Sequence, residues 1–355
     1  MTPTNLEMSD ELISYHAVTL TKRYISFFYV LLTIKGKKKR YFNVRKRLIA
    51  IMGAIVLFGT KAMGQYDPLF SHYFDMEPSF NPASVGKENK LNVVGAYALD
   101  FAGFDNNPNT FYVGADMPLY FLKNYHGVGL SLLNDKIGLF THQRIAGQYA
   151  FRFKLFGGRL AAGVQLGLIM ENFDGSKVDL EDSSDPAFPK SEVTGNSFDA
   201  GVGLYYAHKQ WYAGVSAQHL TSPLVNLGET NEFKIDPICY FTGGYNIKLR
   251  NPFITIPTST KMQYDGSTFR ADVTARVVYK NDKKMLYGGV SYSPTNSVTA
   301  LIGGSFHGIN IGYSYEFYTS AINPGNGSHE LFVSYQTDIN LQKKGRNKHK
   351  SVRYL

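Results

Sequence analysis

Between Gly308 and Tyr318 the chain alternates strictly. Ile309, Ile311, Tyr313, Tyr315 and Phe317 are apolar, and the intervening Gly308, Asn310, Gly312, Ser314 and Glu316 are small, polar or acidic. A period of two marks a strand whose two faces meet different surroundings. The pattern recurs and predicts strands near residues 91–104, 110–118, 126–134, 143–154, 159–171, 197–207, 210–219, 236–247, 253–263, 268–279, 285–293, 297–306, 308–318 and 329–338, fourteen in all. Most are longer than the usual ~5–6 residues of a soluble strand and match the ~10 that a tilted strand needs to cross a membrane. After Gln65 no stretch approaches 18 consecutive apolar residues, so membrane-spanning helices are not predicted there.

The connections between these strands sort by length. Taking the first strand as running outward, the even-to-odd connections are mostly short: Leu155–Gly158, His208–Lys209, Lys248–Pro252, Lys280–Lys284 and Phe306–His307. The other set contains the long ones, Asn172–Asn196, Leu220–Ile235 and Thr319–Ser328, with the short Pro294–Asn296 as an exception. Outer-membrane barrels have this asymmetry, with short turns in the periplasm and long loops outside. Charge follows length. The short connections and their flanks carry Lys123, His126, Lys154, Arg159, His208, Lys209, Lys248, Arg250, Lys283 and Lys284, whereas Asn172–Asn196 carries Asp174, Asp179, Glu181, Asp182, Asp185 and Glu192. In this register Gly127, Gly129 and Ser131 face a lumen and Val128, Leu130 and Leu132 face lipid. The fold expected is all-β, a transmembrane antiparallel barrel of about 14 strands of the outer-membrane type. A soluble envelope sandwich is the weaker rival for the same alternation.

The front end reads differently. Val44–Gln65 has a basic start (Arg45, Lys46, Arg47), an apolar run from Leu48 to Phe58, and Ala62-Met63-Gly64 before Gln65. These are the parts of a secretory signal peptide cut after Gly64. The apolar run is too short to anchor across ~30 Å of hydrocarbon. Residues 1–43 do not fit that plan and are expected to be an upstream extension or non-native start, with initiation near Val44. The expected organisation is then 44–64 signal peptide, 65–90 an N-terminal plug or periplasmic segment, 91–338 barrel and 339–355 a basic tail. Pro68, Pro78 and Pro82 argue against a central strand in 65–90.

Composition changes the picture only once it is located. The formal charge of +9 suggests an anionic partner, but residues 1–64 carry 11 Lys/Arg against 3 Asp/Glu, leaving 26 against 25 for the rest. The body is not basic, so a nucleic-acid partner is not expected. The remaining basic concentration is the tail, with Lys343, Lys344, Arg346, Lys348, Lys350 and Arg353. An even strand count puts that tail on the side of the short basic turns. The tail is either a solvated end against anionic lipid or part of a positive docking face for an acidic partner. Cys239 is the only cysteine, which excludes an intrachain disulfide or a cysteine-rich metal site.

Catalytic chemistry finds little support. Ser305 and His307 share a strand end without an orienting acid and read as turn residues. The acids of Asp174–Asp185 lack the spacing of a calcium loop. Asn326-Gly327-Ser328 is explained by turn chemistry. No glycine-rich phosphate loop opens a helix. No enzyme activity, cofactor or metal is expected.

Several short motifs in order carry a resemblance. Gln65-Tyr66-Asp67-Pro68, Ser71-His72-Tyr73-Phe74 and Phe80-Asn81-Pro82-Ala83-Ser84-Val85-Gly86 are followed by Gly127-Val128-Gly129, Asn134-Asp135-Lys136-Ile137-Gly138, Gly158-Arg159-Leu160 with Gly163, and Ser328-His329-Glu330-Leu331. This series resembles the PorP/SprF proteins of Bacteroidota, over nearly all of 65–338. Tyr66 intrudes in the usual Gln-Asp-Pro, and Ser84-Val85 replaces the common Tyr-Ala. The resemblance implies a non-enzymatic outer-membrane component of the type IX secretion system or its gliding-motility branch. Such a protein would help export or anchor large surface proteins, adhesins among them, through contacts with the periplasmic secretion ring and motor. Its expected partners are those proteins, one large secreted substrate and outer-membrane lipid. The expected partner-binding residues are Gln65, Asp67, Pro68, Asn81, Pro82, Lys209, Lys248, Arg250, Lys283, Lys284 and the tail cations Lys343, Lys344, Arg346, Lys348, Lys350 and Arg353. The competing function is an outer-membrane channel or transporter for small or hydrophobic solutes, which requires an open lumen.

Overall fold

The computed structural model describes residues 66–339, apart from 105, 178–190, 228–230, 283 and 321–325. The expected extension, signal peptide, Gln65, Lys283, most of the acidic loop and the basic tail lie outside these residues.

Among the described residues sixteen strands follow one another: β1 (Lys90–Leu99), β2 (Asn109–Phe121), β3 (Asn124–Ile137), β4 (Phe140–Leu155), β5 (Gly158–Asp174), β6 (Glu192–Ala207), β7 (Trp211–Gln218), β8 (Leu224–Leu227), β9 (Asn231–Lys234), β10 (Ile238–Lys248), β11 (Ile254–Tyr264), β12 (Phe269–Asn281), β13 (Lys284–Ser293), β14 (Ser297–Phe306), β15 (Ile309–Tyr318) and β16 (Ser328–Asp338). All but β8 and β9 form one closed antiparallel barrel of fourteen strands, sealed where Lys90–Leu99 pairs with Asp338–His329. Closure leaves no sheet edge inside the bilayer, as a lipid-spanning sheet requires, and the sandwich alternative is set aside.

The alternation read from sequence is the alternation of the wall. Leu130, Leu286 and Ile302 point outward at 62%, 65% and 64% exposure, while their neighbours Ser131, Tyr287 and Leu301 are buried inside. A polar and small-residue interior under an apolar exterior is the inverse of a soluble protein and fits a barrel whose outer solvent is lipid. In β3, Gly127 and Ser131 turn inward and Leu130 and Leu132 outward, as expected.

At one end the strands are joined by tight turns. Leu122-Lys123, Phe156-Gly157 and His307-Gly308 have positive φ at both positions, the two-residue turn whose twist suits paired strands. Aromatic pairs flank this end: Tyr120–Tyr125 at 5.0 Å, Tyr206–Trp211 at 5.2 Å and Phe253–Tyr279 at 6.2 Å between ring centroids. Amphipathic rings of this kind settle at the lipid–water boundary. His126, expected as a rim charge, is buried in this belt instead. It stacks on Phe121, with Nδ1 2.7 Å from the Tyr149 hydroxyl and Nε2 3.2 Å from the Phe121 carbonyl.

The opposite end carries the longer connections. One of them, expected as the open loop Leu220–Ile235, contains the hairpin β8–β9. Val225 and Leu227 of this hairpin pack with Ile169 and Ile235, and Tyr66 and Phe233 join the same cluster.

Candidate functional site

Residues 66–89 lie within the barrel and contact strands around its whole circumference. The path begins under the β8–β9 hairpin and ends at the short-turn side, where β1 starts. Tyr66 donates to Glu171, near the long-loop end of β5, and packs edge-on to His142 and His219.

The next residue, Asp67, is a buried carboxylate held from several directions. Arg144 Nη1 lies 3.5 Å away, His219 Nε2 lies 3.2 Å away, and the Tyr240 hydroxyl donates to it. Burial alone would raise the Asp67 carboxyl, but the His219 and Arg144 charges outweigh it and hold the group well below the usual carboxylate range. His219 follows β7 at positive φ and also faces Asp199, with Nδ1 3.2 Å from Oδ2 but without the alignment of a hydrogen bond. Burial disfavours its charge, yet the Asp67 carboxylate and the contact with Asp199 lift its pKa to about 9. The cluster is therefore an ion network in which breaking one partner strands another.

A second grip uses the two ends of the described chain. Glu330, in Ser328-His329-Glu330-Leu331, accepts from the backbone N–H groups of Ser71 and His72 and sits 2.6 Å from His72 Nδ1. The early Ser-His-Tyr-Phe stretch and the late Ser-His-Glu-Leu stretch are thus halves of one contact.

The third grip is a chain of glutamines. Gln148 donates to the Pro78 carbonyl at 2.6 Å and to Gln165 at 2.7 Å, Gln165 donates to Gln218 at 2.7 Å, and Gln218 with Ser216 donates to the Phe80 carbonyl at 2.9 and 2.7 Å. This chain crosses β4, β5, β6 and β7. It passes over β6 at Gly201, where an added Cβ would meet the Gln218 side chain.

Below this, Asn81 caps a short 3-10 turn, Pro82–Ser84. Its side chain accepts from Ala83 N–H at 2.9 Å and donates to the Leu204 carbonyl at 3.2 Å. Proline at the first turn position and a capping Asn before it are the residues such a turn prefers. Ala83 seats against Gly163, where a Cβ would strike the Pro82–Ala83 backbone. At the end of the plug, Arg152 donates to the carbonyls of Val85 and Gly86, Gly86 N–H donates to Asp116 at 2.6 Å, and Lys87 pairs with Glu77 at 2.7 Å.

Asp67, Asn81 and Pro82, expected to bind a partner, are thus buried, and their contacts are with the barrel wall; Pro68 is half-buried beside them. The exposed expected residues are Lys209, Lys248, Arg250 and Lys284, at the short-turn end. Sequence reasoning missed Arg144, Arg152, Gln148, Gln165, Gln218, His219, Tyr240 and Glu330. All but His219 lie in strands on inward positions of the alternation, and polar side chains at such positions were the signal that could have found them.

The space left inside is unequal. The cavities beside Asp67 and Arg144 hold about 20 and 10 Å³, and that between Phe74 and Gln336 about 40 Å³, room for a water or a few. At the short-turn mouth a cavity of about 550 Å³ opens, and one of about 360 Å³ lies nearby between Phe74, Glu77 and Lys87 of the plug and Tyr212, Thr258 and Arg276 of the wall. Among the described residues no cluster suited to a metal ion occurs.

The fold and its filled lumen define a plugged outer-membrane β-barrel. The chain belongs to the PorP/SprF family of type IX secretion system membrane proteins, whose family model matches residues 62–335. No curated protein matches the chain. Among solved structures it is similar to the monoaromatic hydrocarbon channel CymD (10% identity, 79% of this chain and 96% of that one, TM-score 0.47). It is also similar to the Pseudomonas putida toluene transporter TodX (10%, 77% and 95%, 0.45) and to a Pseudomonas aeruginosa FadL homologue (12%, 73% and 93%, 0.42).

Proposed function

We propose that this protein helps export or anchor large surface proteins, adhesins among them, by binding the periplasmic secretion ring and motor rather than by conducting solutes. The observation that carries this reading is the occupied lumen in a chain of this family. Many of the inward side chains that would line a solute path are engaged with residues 66–89; the cavities beside Asp67, Arg144 and Gln336 hold 10–40 Å³, and the larger ones, about 360 and 550 Å³, lie toward the short turns. What remains free for a partner is the short-turn rim, which faces the periplasm in barrels of this class. Lys209, Lys248, Arg250 and Lys284 belong to that rim; by chain order Lys283 and the tail cations Lys343, Lys344, Arg346, Lys348, Lys350 and Arg353 are expected to join the same docking face. Clustered positive charge raises the encounter rate with an acidic partner. Export across the inner membrane by the signal peptide 44–64 would deliver the chain to this position, in a bacterium of the Bacteroidota.

Two measurements together test the proposal. Mild-detergent capture from outer membranes should recover secretion-ring or motor proteins or one large surface protein, and deletion of the gene should deplete a surface protein. A barrel recovered alone, with an unchanged surface and a loss of small-solute uptake, would overturn it in favour of the channel.

A further inference from the structure

The cavity of about 550 Å³ at the short-turn mouth is built jointly by plug and wall. Plug residues Ala83 and Lys87 form one side, and Arg152, Lys154, Arg159 and Lys209 supply the charge of the other. No acid lines it among the described residues, and small residues such as Gly158 and Ala161 leave its walls open. Strand parity decides which way the cations point. Ala150 and Ala161 are buried inward positions of β4 and β5, so Arg152, Lys154 and Arg159 on the same parity face the lumen, not the lipid headgroups. Lys87 is partly neutralised by Glu77, and Arg152 is occupied by two carbonyls, but Lys154, Arg159 and Lys209 have no acidic partner among the described residues. Like charges gathered in a water-filled mouth with low-dielectric walls repel one another and focus a positive potential into it.

We propose that this cavity binds an acidic segment of a polypeptide entering from the short-turn side, and that the bound carboxylates loosen the end of the plug. The second half follows from what Arg152 is doing. Its guanidinium holds the Val85 and Gly86 carbonyls, which are neutral acceptors, and a carboxylate is the stronger acceptor for the same fork of donors. A carboxylate at Lys87 likewise competes with Glu77. The occupant therefore takes the contacts that fasten residues 85–87. This inference rests on the reading that the mouth meets a protein, and it adds the chemistry of what is read and the element that responds.

The test uses the purified full-length protein in detergent with a fluorescein-labelled hexaglutamate peptide as probe, followed by anisotropy, and amide exchange of the plug. The peptide should bind, and Lys154→Glu with Arg159→Glu should weaken it about tenfold or more, while Lys248→Glu on the rim outside the cavity leaves it within about twofold. Bound peptide should speed exchange at Val85–Lys87 and leave Asp67–Phe70 unchanged. Equal binding by the double variant would overturn the site. Displacement by inorganic phosphate at the peptide's own concentration would overturn the peptide assignment in favour of a phosphate site, and binding without faster exchange would overturn the coupling. Heat-modifiable mobility of each variant checks that the barrel is folded. Recovery of ring proteins from membranes alongside no peptide binding would sink this inference alone and leave the proposed function standing.

Discussion

The two ends of the lumen are built on opposite plans. Toward the long loops the inward face carries Asp135, Glu171, Asp199, Asp272, Glu316 and Glu330, and the space is filled: plug groups or neighbouring cations, Arg270 among them, answer most of these acids, and Arg144 answers Asp67 of the plug. Toward the short turns the charge is basic, the acids are few, and cavities of about 550 and 360 Å³ open where those beside Asp67, Arg144 and Gln336 hold 10–40 Å³. A buried charge must be paired where water is absent, so the outer half is a lock whose members specify one another. An exposed charge near water need not be paired, and the inner mouth can keep its cations free for another molecule. The same fold thus separates a region of paired charges from one of unpaired cations along its axis.

Breaking the lock should give the largest effects. Arg144→Met leaves Asp67 buried without its arginine and the Ser79 carbonyl without its 3.1 Å donor. The expected loss is about 3–5 kcal/mol of plug docking, read as protease cleavage within residues 66–80 while the barrel keeps its heat-modifiable mobility. A steric wedge comes next. Gly163→Leu should cost about 1–3 kcal/mol by driving into Pro82–Ala83, whereas Gly147→Ala, where an added Cβ meets nothing within 4 Å, should leave proteolysis unchanged.

Acidity should tune the lock with a defined sign. His219, facing Asp67, Asp199, Arg144, Tyr66 and Tyr240, has its pKa raised to about 9. Its contribution is fully present below its ordinary value of about 6.5 and is lost as pH rises through about 9. Asp67 is depressed, so its contribution is present above about 3.9 and is lost as pH falls below that value. Plug protection in amide exchange, corrected for intrinsic rates, should be greatest between those limits and fall on the alkaline side. His219→Gln should flatten the alkaline limb.

Smaller still, Asn81→Ala removes one cap and one bond to Leu204, and about 1 kcal/mol of local protection at Ala83 should go with it. At the far end of the scale Lys248→Ala and Arg250→Ala should change folding and plug protection by no more than about 0.5 kcal/mol. Their effect is expected in partner capture alone, which sharpens the contrast between the two ends.

The barrel wall was legible because lipid and lumen impose a period of two on every crossing, and the runs around Gly127–Leu132 and Ile309–Phe317 record it residue by residue. The β8–β9 hairpin was not, since Leu224–Leu227 and Asn231–Lys234 are four residues each, too short for alternation to stand out beside Pro223. The plug was harder again. Its backbone has no period, and its order comes from wall partners about 30 to 260 positions away, such as Asp116 for Gly86, Arg144 for Asp67 and Glu330 for His72. Asp67 and Asn81 were readable as special residues but not as buried ones, because burial is a property of the wall that surrounds them. His126 misled in the opposite direction: a charge-bearing type near a basic turn, it is sheathed by Phe121, Tyr149 and Phe151.

The central claim is that the lumen is closed by the chain's own N-terminal segment, so that the protein works by contact rather than by flux. Single-channel recording in planar bilayers addresses this directly, comparing the intact protein with a variant lacking residues 66–86. The account predicts a silent intact protein and stable conductance steps from the variant; steady steps of similar size from both would contradict it.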